Sequence, residues 1–155
     1  MIELYNKNNI LNIKNSDNKI ISVDTENKKI NIDDFNLDFP GEYEKSWILI
    51  EVKEYGQKLF YDLLIEWETL VVIFDENFDM QEEIMSFFWD VDILIIIWNK
   101  NSTKIVENIE ARVVVPFWEG KDLFLHTLWQ NKEEIETFKL KVDMWIENTE
   151  FVNLK

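Results

Sequence analysis

The chain has no cysteine and, among its 155 residues, a single histidine, a single arginine and a single alanine. Without cysteine there is no disulfide and no thiolate, either as nucleophile or as metal ligand. One histidine, His126, cannot build an imidazole metal centre, because a catalytic zinc takes three protein ligands, mostly imidazole. Long apolar runs are also missing. The longest, Ile93 to Trp98, is far short of the ~20 residues needed to span a bilayer. The start, Met1-Ile2-Glu3-Leu4-Tyr5, lacks the basic-then-apolar layout of a signal peptide, so a cytoplasmic location with no membrane partner is expected. A basic surface is absent as well: net charge is −15 and the lysines are scattered among acids. That charge repels nucleic-acid phosphates, and no nucleic-acid partner is expected.

Glycine is scarce in a particular way. There are three glycines against seven tryptophans, the reverse of ordinary usage. Trp47 precedes the apolar run Ile48-Leu49-Ile50, Trp67 lies between two strand-like runs, and Trp89 separates a helical run from Asp90-Val91-Asp92. Trp98 and Trp118 each end an apolar run, Trp129 closes a helical segment, and Trp145 is the seventh. Turns, helix C-termini and strand ends are where glycine supplies a positive φ or a close backbone approach. The pattern fits a gene in which UGA encodes glycine but has been translated as tryptophan. The alternative is a domain that uses its indoles as ordinary core and surface aromatics.

What is present is a hydrophobic fraction of 46%, enough for one folded domain over residues 1–155. The first third reads as short strands at Ile2–Tyr5, Ile10–Ile13, Lys19–Val23 and Ile30–Ile32, followed by an irregular stretch from Asp33 to Asp38 and a turn at Pro40-Gly41. A hairpin is expected from Ile48–Val52 and Lys58–Ile65, then a strand over Thr69–Phe74. Helices are expected over Met80–Phe88, capped by Asp79, over Asn101–Ile109, capped by Asn101 or Ser102, and over Asp122–Leu128. Between them, Asp92–Ile97 and Arg112–Val115 have the unbroken apolar character of doubly buried strands, the second stopped by Pro116. Glu136–Lys141 and Glu150–Leu154 are expected to close the chain as strands. This order gives an α/β class, an α+β sandwich of antiparallel and mixed sheets with helices on its outer face.

Five segments carry a resemblance. Pro40-Gly41-Glu42-Tyr43-Glu44, Trp89-Asp90-Val91-Asp92-Ile93-Leu94-Ile95-Ile96 and Ile109-Glu110-Ala111-Arg112-Val113-Val114-Val115-Pro116 occur in order. Glu136-Thr137-Phe138-Lys139-Leu140-Lys141 and Asn148-Thr149-Glu150-Phe151-Val152 follow them. Together they resemble the metallo-β-lactamase superfamily, in its L-ascorbate-6-phosphate-lactonase-like branch of small hydrolase-like proteins, well over residues 40–155 and more weakly before. The resemblance implies a metallo-β-lactamase-like fold of reduced size. It also implies glycine at the equivalents of Trp47, Trp67, Trp89 and Trp98.

The chain departs from that family where the chemistry resides. The family's His-x-His-x-Asp-His metal loop is replaced by the shortened Asp24-Thr25-Glu26-Asn27-Lys28-Lys29, and Asn6-Lys7-Asn8-Asn9 stands where Gly-His-Ser is usual. The family's later histidine falls near Phe117-Trp118, and glycine at Trp118 would not restore it. Asp75 lies near the family's metal-bridging aspartate, yet a strand-to-helix turn with a capping acid explains it better. Asp75-Glu76-Asn77-Phe78-Asp79 fails as an EF-hand because Met80 and Ser86 occupy its glycine and glutamate places. No P-loop, nucleophile elbow or dinucleotide fingerprint is present.

No catalytic residue, cofactor or metal ligand is therefore assigned. The expected function is a metal-free scaffold or interaction protein, capable of forming a homo-oligomer. The alternative is a metal-dependent hydrolase with non-standard ligands or a partner-completed site. A vestigial cleft, open to an unidentified small molecule, is expected around Glu42, Tyr43, Asp75, Phe117 and Trp118.

Overall fold

The computed structural model describes residues 1–75, 78–79, 81–97, 102–117, 120–141 and 146–155. Its first sheet is antiparallel. It contains β1 (Ile2–Lys7), β2 (Ile10–Lys14), β3 (Ile20–Asp24), β4 (Lys29–Ile32), β5 (Phe35–Asn36) and, late in the chain, β12 (Thr137–Leu140). The spatial order is β12-β1-β2-β3-β4-β5. Strict alternation drives it: Ile2, Leu4, Leu11, Ile13, Ile21, Val23, Ile30 and Ile32 point inward, and the residues between them face solvent.

The second sheet is mixed. It is built from β6 (Gly41–Lys45), β7 (Ile48–Tyr55), β8 (Lys58–Ile65), β9 (Glu68–Ile73), β10 (Ile93–Ile97), β11 (Val113–Phe117) and β13 (Glu150–Phe151), ordered β13-β11-β10-β9-β8-β7-β6. β9, β10, β11 and β13 run parallel, so their carboxyl ends lie together. Of these, β9, β10 and β11 are buried on both faces, which explains their Ile/Val/Leu runs. Val72, Ile93, Ile95, Val113 and Val115 pack towards the first sheet. Val71, Ile73, Leu94, Ile96 and Val114 pack outward beneath the helices.

The helices are α1 (Glu82–Phe87), α2 (Ser102–Ile109) and α3 (Lys121–Thr127). Ile84, Phe87, Ile105, Val106, Ile109, Phe124 and Leu125 bury one stripe of each against the second sheet. The described residues thus form a two-sheet sandwich, with these helices on the outer face of the second sheet.

Several expectations are corrected. α1 is capped by Gln81, without a side-chain cap, and Asp79 contributes only its carbonyl to the Gln81 N–H. Ser102 opens α2 with its hydroxyl bonded to the Ile97 carbonyl at 2.9 Å, while Asn101 lies outside the described residues. β11 continues through Pro116 to Phe117. Its outer neighbour β13 pairs only with Val113 and Val114, so the missing Pro116 N–H leaves no described bond unmade. The stretch expected to be irregular holds β5, and Gly41–Lys45 is an edge strand.

The tryptophans fall into two groups. Ser46-Trp47 (φ 55 and 64) and Glu66-Trp67 (φ 51 and 72) form the two-residue loops of β6–β7 and β8–β9. Positive φ at both central residues is the requirement of a type I′ hairpin, whose second place is normally glycine. Trp129 (φ 58) follows α3, where its N–H bonds to the His126 carbonyl and the Gln130 N–H to the Leu125 carbonyl. That bond pair is a Schellman ending, with tryptophan at its left-handed glycine position. Trp89 is different: it is exposed, and the left-handed residue beside it is Asp90 (φ 53). The backbone tightness expected at Trp89 is absent. Trp98, Trp118 and Trp145 lie outside the described residues.

Candidate functional site: a cleft at the strand ends

The carboxyl ends of β9, β10 and β11 meet the β1–β2 and β3–β4 turns of the first sheet at one end of the sandwich. Such strand ends are where open α/β sheets bind ligands, because chain-end N–H groups and loop side chains converge there. Here Asn6, Asn9, Leu11, Thr25, Glu26, Phe117, Lys121 and Leu154 line a cavity of about 300 Å³.

Each polar group at this mouth already has a protein partner. Thr25 donates to the Asn9 carbonyl at 3.4 Å, and Asn9 Nδ2 donates to Glu26 Oε1 at 3.4 Å. Lys121 Nζ lies 2.9 Å from Glu134 Oε2 and also donates to the Leu154 carbonyl. Asp24 accepts from Asn27 Nδ2 at 2.8 Å and from the Asn27 N–H at 3.1 Å, which holds its carboxyl below the usual carboxylate range. At the cleft edge, Lys28 from the β3–β4 turn places Nζ 2.7 Å from Oδ1 of Asp75, just beyond β9.

These residues do not fit the zinc centre that the sequence resemblance implies. The aspartate nearest the expected position faces an ammonium, and Phe117 at the end of β11 offers no donor atom. Asp24 is committed to its own turn. Among the described residues no three His, Cys, Asp or Glu side chains are arranged to hold a metal ion. His126 is exposed in the last turn of α3.

Of the expected cleft residues, the structure brings Asp75 and Phe117 to this end. Glu42 and Tyr43 sit elsewhere, on β6, with β7, β8, β9 and β10 between them and β11. At ~4.8 Å per strand that is a separation of roughly 20 Å or more. Trp118 lies outside the described residues. Lys28 and Lys121 carry the cleft's electrostatics and were not singled out by the sequence. The only available signal was a lysine in the loop where the family places metal ligands.

Glu42 belongs to a second feature. It pairs in register with Glu51 of β7, which pairs with Asp62 of β8, setting three acids side by side on the outer face. Asp62 is half-buried, and burial followed by repulsion from Glu51 pushes its carboxyl up to about 6. Among the described residues it has neither a hydrogen bond nor an ion pair.

At the opposite end of the parallel strands, Arg112 Nη1 bridges Asp92 Oδ1 (2.7 Å) and Glu68 Oε2 (3.0 Å). Asp92 Oδ2 also accepts the Thr69 N–H at 2.8 Å. This clamp joins the starts of β9, β10 and β11. It is a structural tie, remote from the cleft.

No family model matches the chain, and no curated protein matches it. Among solved structures it is similar to a Thermotoga maritima protein provisionally described as a Zn-dependent hydrolase of the metallo-β-lactamase superfamily. The TM-score is 0.77 at 13% identity, and the likeness covers 99% of each chain. The two chains are thus of similar length. No helix among the described residues is long and apolar enough to cross a membrane. With its two sheets, its outer helices and this likeness, the chain has the metallo-β-lactamase fold.

Proposed function

We propose that this chain is a non-catalytic, metal-independent protein of the metallo-β-lactamase fold that acts through interactions with partners. The observation that carries the reading is the Lys28–Asp75 pair. A fixed ammonium beside the acid nearest the fold's metal position supplies the countercharge that a metal would supply, and it repels a second cation. Hydrolysis in this setting needs an activated water, and among its described residues the cleft offers neither an open metal position nor an imidazole base. The test is turnover of a lactone and of a phosphodiester, with and without added zinc or manganese. No turnover above the metal-only blank is expected. Chelator-sensitive turnover would overturn the reading in favour of a hydrolase with unusual or partner-supplied ligands.

We also propose that the seven tryptophan positions are glycine in the native polypeptide, read from UGA codons. Support comes from Trp47, Trp67 and Trp129, which occupy left-handed glycine positions and leave their indoles 86%, 88% and 92% exposed. A side chain in that region costs about 1–2 kcal/mol per residue, and here no packing offsets it. Mass spectrometry of the protein from its native source should give glycine masses at these sites. Tryptophan masses would refute the assignment.

A further inference from the structure

The outer strand β6 ends the second sheet, and no described residue pairs with its free edge. Open edges are normally blunted, because their unpaired N–H and C=O groups template another strand. The two faces beside this edge differ. On the outer face, beyond the reach of the helix stripe, Glu42, Glu44, Glu51 and Asp62 surround Leu49 and Leu64 in a groove of about 400 Å³. Leu49 is 47% exposed. On the inner side, Phe35 at 42% and Phe39 at 69% exposure lie next to Tyr43, whose ring is 5.7 Å from that of Phe35.

We infer that β6 is a docking edge for a basic strand of a partner protein, alternating cationic and apolar side chains; this rests on the interaction reading above. Charge complementarity selects that occupant. The cationic positions would lie beside Glu42 and Glu44, over a groove that contains no lysine or arginine. The apolar positions would cover Phe39 and the part of Phe35 left open by Lys45, whose Nζ lies 5.6 Å from the Phe35 ring centre. Backbone hydrogen bonds to β6 give such strand addition its affinity, and alternate side chains give it specificity. A second copy of this chain is a poor occupant. In antiparallel self-pairing that keeps the outer faces aligned, Glu42 or Glu44 falls opposite another glutamate, and like charges directly opposite are destabilising.

The test uses a blocked peptide of alternating lysine and valine, roughly seven residues long to span β6. Its affinity for the purified protein would be measured by calorimetry. Binding should weaken at least about tenfold, or about 1.4 kcal/mol, in the double variant Glu42→Lys/Glu44→Lys. It should weaken comparably when alternate peptide amides are N-methylated, which removes strand pairing but keeps charge. The pair Glu107→Lys/Glu133→Lys, at exposed sites elsewhere, makes the same change in net charge and should leave affinity within about twofold.

Equal losses in both double variants would overturn the inference, because general attraction to an acidic chain would then suffice. Undiminished binding of the N-methylated peptide, or no binding at all, would overturn it too. So would self-association released by Glu42→Lys/Glu44→Lys, which would assign the edge to a second copy. Absence of peptide binding in a protein without hydrolytic turnover removes only the edge proposal. Metal-dependent turnover removes the non-catalytic reading whatever the peptide does.

Discussion

Lys28 and Asp75, 47 residues apart, close an ion pair of 2.7 Å across the mouth between the two sheets. It joins the β3–β4 turn to the end of β9, at the carboxyl ends of the parallel strands. The side chains are 52% and 27% exposed, so the pair's contribution to stability is modest. Lys28→Ala should cost no more than about 1 kcal/mol, and the difference should shrink in high salt. Denaturant titrations at low and high ionic strength measure both. A loss of several kcal/mol would mean that Lys28 holds more than Asp75.

The Arg112 clamp should matter more. Glu68 has a side chain 9% exposed, and burial followed by the charge of Asp92 raises its carboxyl above the usual range. Arg112→Met should cost about 2–3 kcal/mol at neutral pH, because two acids are left facing one another. The penalty should fall as pH drops and Glu68 takes up a proton. Thermal melts of both proteins between neutral and mildly acid pH test this.

Asp62 gives a pH dependence of the opposite sense to a salt-bridged acid. Its carboxyl is raised from an ordinary 3.8 to about 6 in the folded protein. The folded state therefore binds the proton more tightly than the unfolded state, and stability rises as pH falls through 6 towards 4. Burial sets this first and the charge of Glu51, its register partner, second; Lys53, on the same face of β7, is drawn towards Glu83 at 3.8 Å. Asp62→Asn should stabilise the protein above pH 6 by about 1–2 kcal/mol, after allowing for solvent screening. It should also flatten this part of the pH profile. An unchanged profile would contradict the assignment.

Replacing Trp47, Trp67 and Trp129 by glycine should stabilise the chain by about 1 kcal/mol at each site, raising Tm by roughly 6–12 °C in total. Trp89→Gly provides an internal control, because its φ is not among the left-handed ones, and it should bring no such gain. Equal effects at all four sites would remove the backbone explanation.

Much of the fold was legible because buried strands in this chain keep their period. Ile2/Leu4, Leu11/Ile13 and Ile21/Val23 alternate cleanly, and Ile93–Ile97 is apolar throughout because sheet and helices cover both of its faces. β6 was not legible as a strand: Gly41-Glu42-Tyr43-Glu44-Lys45 is an exposed edge with little to bury, so it lacks the apolar alternation that marks a strand. The cleft was half legible. Asp75 lies just beyond β9 and Phe117 ends β11, close to apolar runs that the sequence marks, whereas Glu42 and Tyr43 were grouped with them by motif, which carries no distance. The Lys28–Asp75 pair depends on how two sheets are stacked, and local sequence does not encode that.

The most direct measurement is metal content. The protein, made with glycine at its seven tryptophan positions, would be dialysed against excess zinc, then against buffer, and analysed for zinc, manganese and iron. A metal-independent chain retains far less than one equivalent of any of them. One or two equivalents per chain would show that a competent ligand set exists and would contradict the account at its centre.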